Sequence, residues 1–243
     1  METREHAERS YWQTSDLERP GAWSAELLTL KMSEARVLLE KLDAFEAEFC
    51  DAKTILEIGA GQGWASCFVQ QRYPNATVLT SEFAPEALAS LGSWAGVVGS
   101  GVAGAFAARA EQLPVADASI DVAFAFAAAH HFGNFPATLR ELRRVLSPSG
   151  VAVFFHEPSC PAWIYTAAHR RVNKKRPAVP EDVIKYRELA AIAEASGLSI
   201  DVRFAPTTTA RGAIETVYYL ALQRMRFLQR RIPCTADYVI RRR

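Results

Sequence analysis

The sequence predicts an α/β protein with a doubly wound, mostly parallel sheet, and three observations carry the prediction. Short apolar runs with little polar alternation recur along the chain, as strands buried on both faces require. Segments of helical character separate these runs, so the order is strand, helix, strand. The first run, in ILEIGAGQGWAS at 55–66, stops at three glycines and passes directly into a helix. That turn brings backbone close to a ligand at the carboxyl end of a sheet.

The elements follow in order. Residues 24–49 form a helical preface: Leu27, Leu28, Leu30, Val37, Leu38, Leu42, Phe45 and Phe49 recur at helical spacing, and Ser24 is placed to cap it. Tyr11 and Trp12 precede it in a polar segment. TILEI is the first strand, and WASCFVQQRY the helix that Pro74 and Asn75 end. ATVLTSE is a strand and APEALASLG a helix. The five glycines within 92–104 leave that stretch without an assignment. IDVAFAFAA (strand), FPATLRELRRVL (helix), SPSG (turn) and VAVFFHE (strand) come next. Beyond them, 181–197 is expected to be a helix closed by Gly197 and LSIDVRFAP a strand. Residues 211–231 are expected to form a long amphipathic helix, and TADYVIRRR a final strand.

Composition narrows the function. At 243 residues, 49% of them hydrophobic, the chain can bury a full core as one domain. A formal net charge of +1 gives no basic excess of the kind nucleic-acid binding needs. Cys50, Cys67, Cys160 and Cys234 are far apart and form no CxxC pair, so they read as reduced thiols of a cytoplasmic protein, and no metal is expected. The charged start METREHAERS is not a secretory signal, and no apolar run approaches the ~20 residues that span a bilayer.

The glycine turn argues against two ligand classes. Its order is Gly59-Ala60-Gly61-Gln62-Gly63-Trp64, so Trp64 stands where the dinucleotide fingerprint needs its third glycine. No Lys-Ser/Thr pair follows, which removes the phosphate-binding loop. Glu57 lies two residues before Gly59, and Glu82 ends the next strand, where an acid can accept both hydroxyls of a ribose. A carboxylate there favours a cationic ligand. The competing reading of Glu82 is a cap for the helix beginning near Pro85.

With these residues in place, 54–160 resembles the class I S-adenosylmethionine-dependent methyltransferases, in particular the type 11 group. LEIGAGQG, VLTSE, AEQLPVADASIDVAFAFAAAHHF, LRELRRVLSPSG and VAVFFHEP carry the resemblance, in order. It implies a Rossmann-like sheet of seven strands with an antiparallel last strand, S-adenosylmethionine across the strand ends, and methyl transfer to an acceptor. By match to the motifs, Glu57, Gly59, Ala60, Gly61 and Gly63 hold the methionine part and Glu82 the ribose, with Phe83, Ala110 and Glu111 completing the cofactor site. The family places an acidic residue just before AEQLP to contact adenine; this chain has Arg109. The Ala110 N–H remains available to an adenine nitrogen, and Glu111 or Gln112 are the substitutes for the missing acid.

Methyl transfer from a sulfonium is an in-line displacement that rewards placement of the nucleophile. His130 and His131 follow a strand at the cofactor edge and are the candidate catalytic groups for a hydroxyl acceptor. His156 and Glu157 end the next strand and are weaker candidates. RRVNKKR at 170–176, with Arg224, Arg226, Arg230 and Arg231, offers cations to an anionic or glycan-type acceptor, to an anionic membrane surface, or simply to water. One domain is expected: a helical cap at 1–50, a cofactor core at 54–160 and a substrate-side elaboration at 161–243. The alternatives are a non-catalytic S-adenosylmethionine-binding protein and a nicotinamide-dependent oxidoreductase.

Overall fold

A computed structural model describes residues 2–175, 179–209 and 211–243. It opens on helix α1 (Glu2–Thr14), followed by α2 (Ala25–Ala44) and the single turn α3 (Glu46–Phe49). Ser24 caps α2 as expected, its hydroxyl accepting the Leu27 N–H at 3.0 Å. The preface is therefore two helices hinged at Phe45, not one.

The sheet core alternates β1 (Thr54–Ile58), α4 (Trp64–Arg72), β2 (Thr77–Glu82), the turn α5 (Pro85–Leu88), α6 (Leu91–Val98), β3 (Gly104–Ala107), β4 (Ile120–Phe126), α7 (Phe135–Val145) and β5 (Leu146–Cys160). Then come α8 (Tyr165–Lys175), β6 (Ile184–Lys185), α9 (Tyr186–Ala195), β7 (Leu198–Phe204), α10 (Ala213–Arg224) and β8 (Cys234–Arg242). Across the sheet the strands run β3-β2-β1-β4-β5-β8-β7. The first five pair in parallel, while β8 lies antiparallel between β5 and β7. The small β6 pairs with the end of β5 and makes the eighth strand, one more than expected.

Both faces of the sheet are covered, which is why the strands lack polar alternation. On one face Leu38, Leu42, Phe49, Trp64 and Trp94 from the helices meet Ile55, Val78, Phe124 and Phe155 from the strands. On the other, Leu139, Leu142, Leu189 and Ala193 meet Leu56, Ile58, Phe154 and Tyr238.

Other expected elements also differ: SPSG lies inside β5, and APEALASLG is split between α5 and the start of α6. The glycine-rich stretch holds α6, ended by Gly99 in the left-handed region (φ 76°), and then β3. Residues 181–197 do not form one helix: Val183 and Ile184 are buried beside the end of β5, and the helix starts only at Tyr186. The late helix stops at Arg224, leaving Arg226 in a short turn and Arg230 and Arg231 beyond it. Its tail folds back, with the Gln229 side-chain amide donating to Leu222 O at 2.9 Å. Among the described residues no helix is long and apolar enough to cross a membrane.

Candidate active site

The carboxyl ends of β1, β2 and β4 converge on the glycine turn. Gly59, Gly61 and Gly63 all have positive φ, at 74°, 53° and 78°. Side chains are disfavoured at such angles, so three glycines within five positions are a requirement of this backbone. The N–H groups of Gly59 and Ala60 both donate to Ser81 O at 3.0 Å, which ties the turn to β2.

Glu82 joins the turn to the next helix. One carboxylate oxygen accepts the Gly61 N–H at 2.7 Å, and the other accepts the Ala84 N–H at 3.0 Å. The two readings of Glu82 thus meet in one side chain: it caps the start of α5 and also faces the glycine turn. Burial pushes its carboxyl above the ordinary range, against the pull of those backbone donors. Glu57 lies deeper, fully enclosed, and accepts the Ser66 hydroxyl. Burial raises its carboxyl to about 8, with Ser66 pulling it down and the Glu82 charge pushing further up.

The third wall is 108–112. Ala108 N donates to Glu82 O at 2.9 Å, which brings buried Ala110 and half-buried Glu111 to the same edge. Arg109 is exposed and lays its guanidinium over the half-buried Phe83 ring, 4.9 Å from the centroid. All nine residues expected around the cofactor therefore border one edge of the sheet. Trp64 is core, packed edge-on against Phe68 and Phe126.

One component of this edge was not legible in the sequence. Helix α1 crosses the glycine turn, and a β-carbon at Gly61 would sit 3.2 Å from the Trp12 indole. The helix is anchored by Arg9 and Gln13 on Glu86, the latter at 3.0 Å. Below it the Gln62 side chain donates to Glu18 O at 2.8 Å and accepts the Trp94 indole N–H at 3.1 Å. Two aromatics in a polar segment were the only hint of this role.

The turn that carries the two histidines is organised by Glu157. Its carboxylate accepts the N–H groups of Ala128, Ala129 and His130 at 2.9, 2.8 and 3.1 Å, and His130 Nδ1 stands 2.7 Å away. Buried Glu157 thus fixes the turn that carries both histidines. His130 Nε2 lies 3.0 Å from Glu181, and His131 lies between Glu181 (Nε2, 3.3 Å) and Glu8 (Nδ1, 3.1 Å). Burial pulls the His131 imidazole down, but Glu181 and Glu8 outweigh it and raise it to about 9. Glu181 is correspondingly held well below the usual carboxylate range: burial raises it, and the two histidines overcome that.

Two of the three non-glycine residues with positive φ among the described residues lie near this place, the third being Ala118 before β4. Ala127 and His156, at the ends of β4 and within β5, have φ of 49° and 60°. Such conformations in non-glycine residues are held by their surroundings and concentrate at functional sites. His156 stacks on Phe126, and burial, with the Arg211 and Lys41 charges, lowers its imidazole to about 3.

The basic clusters ride on α8, whose Asn173 holds the Glu181 backbone, and on and beyond α10. Arg170, Arg171 and Lys174 are exposed on α8, and Arg171 lies over the Tyr218 ring. Arg176 lies outside the described residues. Arg224, Arg226, Arg230 and Arg231 are exposed as well. The solvent side of α10 also carries Ile214 and Val217, 84% and 68% exposed.

Comparison with known proteins names this architecture. Residues 56–154 match the family described as Methyltransferase domain. The geranyl diphosphate C-methyltransferase of Streptomyces coelicolor shares the fold, with a TM-score of 0.67 over 99% of this chain and 98% of that one, at 11% identity. A malonyl-[acyl-carrier protein] O-methyltransferase from Gallionella capsiferriformans is 28% identical over 50% of this chain and 43% of its own length. A demethylmenaquinone methyltransferase from Thermus thermophilus is 32% identical over 49% of this chain and 53% of its own. The chain spans about half the length of these curated relatives. An α/β fold with a glycine-rich turn at the carboxyl edge of its sheet thus defines the class. Residues 56–154 are similar to the Methyltransferase domain family, and the chain as a whole shares the fold of solved methyltransferases.

Proposed function

We propose that this protein transfers the methyl group of S-adenosylmethionine to an oxygen of a small or mid-sized acceptor. The observation that carries the reading is the glycine turn of a methyltransferase domain held open by three positive-φ glycines, with Glu82 facing it. In this reading Glu57, Gly59, Ala60, Gly61 and Gly63 surround the methionine part, Glu82 takes the ribose hydroxyls, and Phe83, Ala110 and Glu111 border the adenine. Each oxygen of Glu82 spends one lone pair on a backbone N–H and keeps another for a hydroxyl. The chain acts as one unit, with 1–50 closing over the donor and 161–243 shaping the acceptor side.

An oxygen acceptor is supported by the curated relative named as an O-methyltransferase. His130 and His131 stand where the acceptor must approach the sulfur. Both ring nitrogens of each face carboxylates, so neither presents a lone pair to a hydroxyl. We therefore assign them to placing the acceptor and not to removing its proton. Exposed Arg170, Arg171 and Lys174 support an anionic acceptor group.

Calorimetry with S-adenosylhomocysteine tests the donor site. Glu82→Ala is expected to weaken binding by about 1.5–3 kcal/mol, the scale of hydrogen bonds to a charged group. Unchanged affinity would remove Glu82 from the site. Turnover is read separately, as S-adenosylhomocysteine released with malonyl thioesters and quinols as acceptors. Tight donor binding without release from any acceptor favours a non-catalytic binding protein, and binding of NADH in its place favours the oxidoreductase.

A further inference from the structure

One ring nitrogen each of His130 and His131 and a carboxylate oxygen of Glu181 lie within 4.8 Å of one another. Glu157 accepts three backbone N–H groups and faces His130 Nδ1 at 2.7 Å. A carboxylate that accepts so many donors is an acceptor throughout, so His130 carries its proton on Nδ1. Its Nε2 points at a Glu181 oxygen 3.0 Å away. His131 repeats the pattern, with Nδ1 on Glu8 at 3.1 Å and Nε2 on the same Glu181 oxygen at 3.3 Å. Loss of the Nε2 protons would thus leave three ligand atoms, two imidazole nitrogens and a carboxylate oxygen, facing one point. The rings are 4.2 Å apart, centroid to centroid, so placing a charge on both brings like charges together.

We propose that His130, His131 and Glu181 bind one divalent transition-metal cation through the two Nε2 atoms and a Glu181 carboxylate oxygen. One such cation would displace the protons through which the two Nε2 atoms now meet Glu181. Bonds of about 2.0–2.2 Å to nitrogen and oxygen put neighbouring ligand atoms roughly 3–3.5 Å apart, as the separations from Glu181 already are. The outer contacts also match: a metal-bound histidine commonly donates its other N–H to a carboxylate, the place Glu157 and Glu8 occupy here. Two imidazoles and one carboxylate, without a thiolate, suit Zn²⁺, Mn²⁺, Fe²⁺ or Co²⁺ better than the all-oxygen cations Ca²⁺ and Mg²⁺.

Three protein ligands leave coordination positions open. If the methyl-transfer reading holds, an acceptor hydroxyl bound at such a position would lose its proton more readily and point its oxygen at the donor. That use rests on the proposed function; the cation site does not.

The test uses the full chain, stripped with chelator and desalted. Titration with Co²⁺ and Zn²⁺, followed by calorimetry and by the visible absorption of Co²⁺, is expected to show one equivalent bound. Glu181→Gln and His131→Gln are expected to weaken binding at least tenfold, while His6→Gln, on exposed α1 surface, leaves it unchanged. Glu157→Gln is expected to cost about 10–100-fold, as loss of an outer carboxylate does. Circular dichroism of each variant separates lost binding from lost fold. No saturable binding by the folded protein overturns the inference, as does binding by Glu181→Gln and His131→Gln within about twofold of the unaltered chain. S-adenosylhomocysteine binding measured on the same stripped sample keeps the two readings apart: a protein that binds it and takes up no cation refutes the metal site alone.

Discussion

Gly61→Val is expected to lower S-adenosylmethionine affinity by roughly 100-fold or more, about 2.7 kcal/mol, while the protein stays folded. Gly61 has φ of 53°, which a β-branched residue adopts only with strain. Its N–H also holds Glu82 toward the turn at 2.7 Å. Relaxing the strain moves that N–H and releases the carboxylate. The valine would meet the Trp12 indole on α1 and no part of the sheet core, so the cost to folding stays small. Calorimetry with S-adenosylhomocysteine and a thermal melt without ligand measure the two effects. Near-normal affinity would detach the glycine turn from the donor site.

The second large effect concerns stability. Lys41 on α2 reaches Asp237 on β8 at 2.6 Å, and the other Asp237 oxygen accepts the His156 N–H at 2.9 Å. Both side chains are nearly enclosed, 11% and 4% exposed. Lys41→Met leaves a buried carboxylate without its partner and is expected to cost about 3–5 kcal/mol, read by chemical denaturation. Burial already raises the Asp237 carboxyl, and Lys41 pulls against it. Without Lys41 the carboxyl rises further, and a raised folded-state value loses stability as pH increases. The deficit of the variant should therefore grow as pH climbs above the ordinary aspartate value near 3.8. Adding Asp237→Asn should recover much of the loss, because the amide oxygen still accepts from His156. A deficit below about 1 kcal/mol would mean that the pair contributes no more than a surface contact.

Much of the architecture was legible because burial on both faces writes itself as continuous apolar runs. TILEI and IDVAFAF are strands β1 and β4, at or near the expected limits. The glycine turn was legible because its backbone excludes other residues. Local composition hid the rest. Helix α1 has a polar sequence and no apolar stripe, and is fixed by distant partners, Arg9 and Gln13 on Glu86 and Trp12 on Gly61. The glycines around LGSWAGVV concealed α6, which buried Trp94 secures through Gln62. The strand before His130 and His131 sets them at the end of β4, beside the glycine turn. Glu181 was read as part of a helix, and nothing local says that it meets both rings.

The position of β8 bears on how the protein is made. The strand enters between β5 and β7, although it is the last of the eight to leave the ribosome. Until residues 234–242 are synthesised, β5 has no partner along the edge that β8 later covers. That edge carries the apolar run VAVFF, and an unpaired strand of this kind readily joins the edge of another chain. The nascent protein therefore passes through a period, lasting while 161–233 are translated, when the half-sheet is complete but unsealed. Holding that edge apart during synthesis falls to chaperones or to the speed of translation. Yield in a host is accordingly expected to respond to both more than the stability of the finished fold suggests.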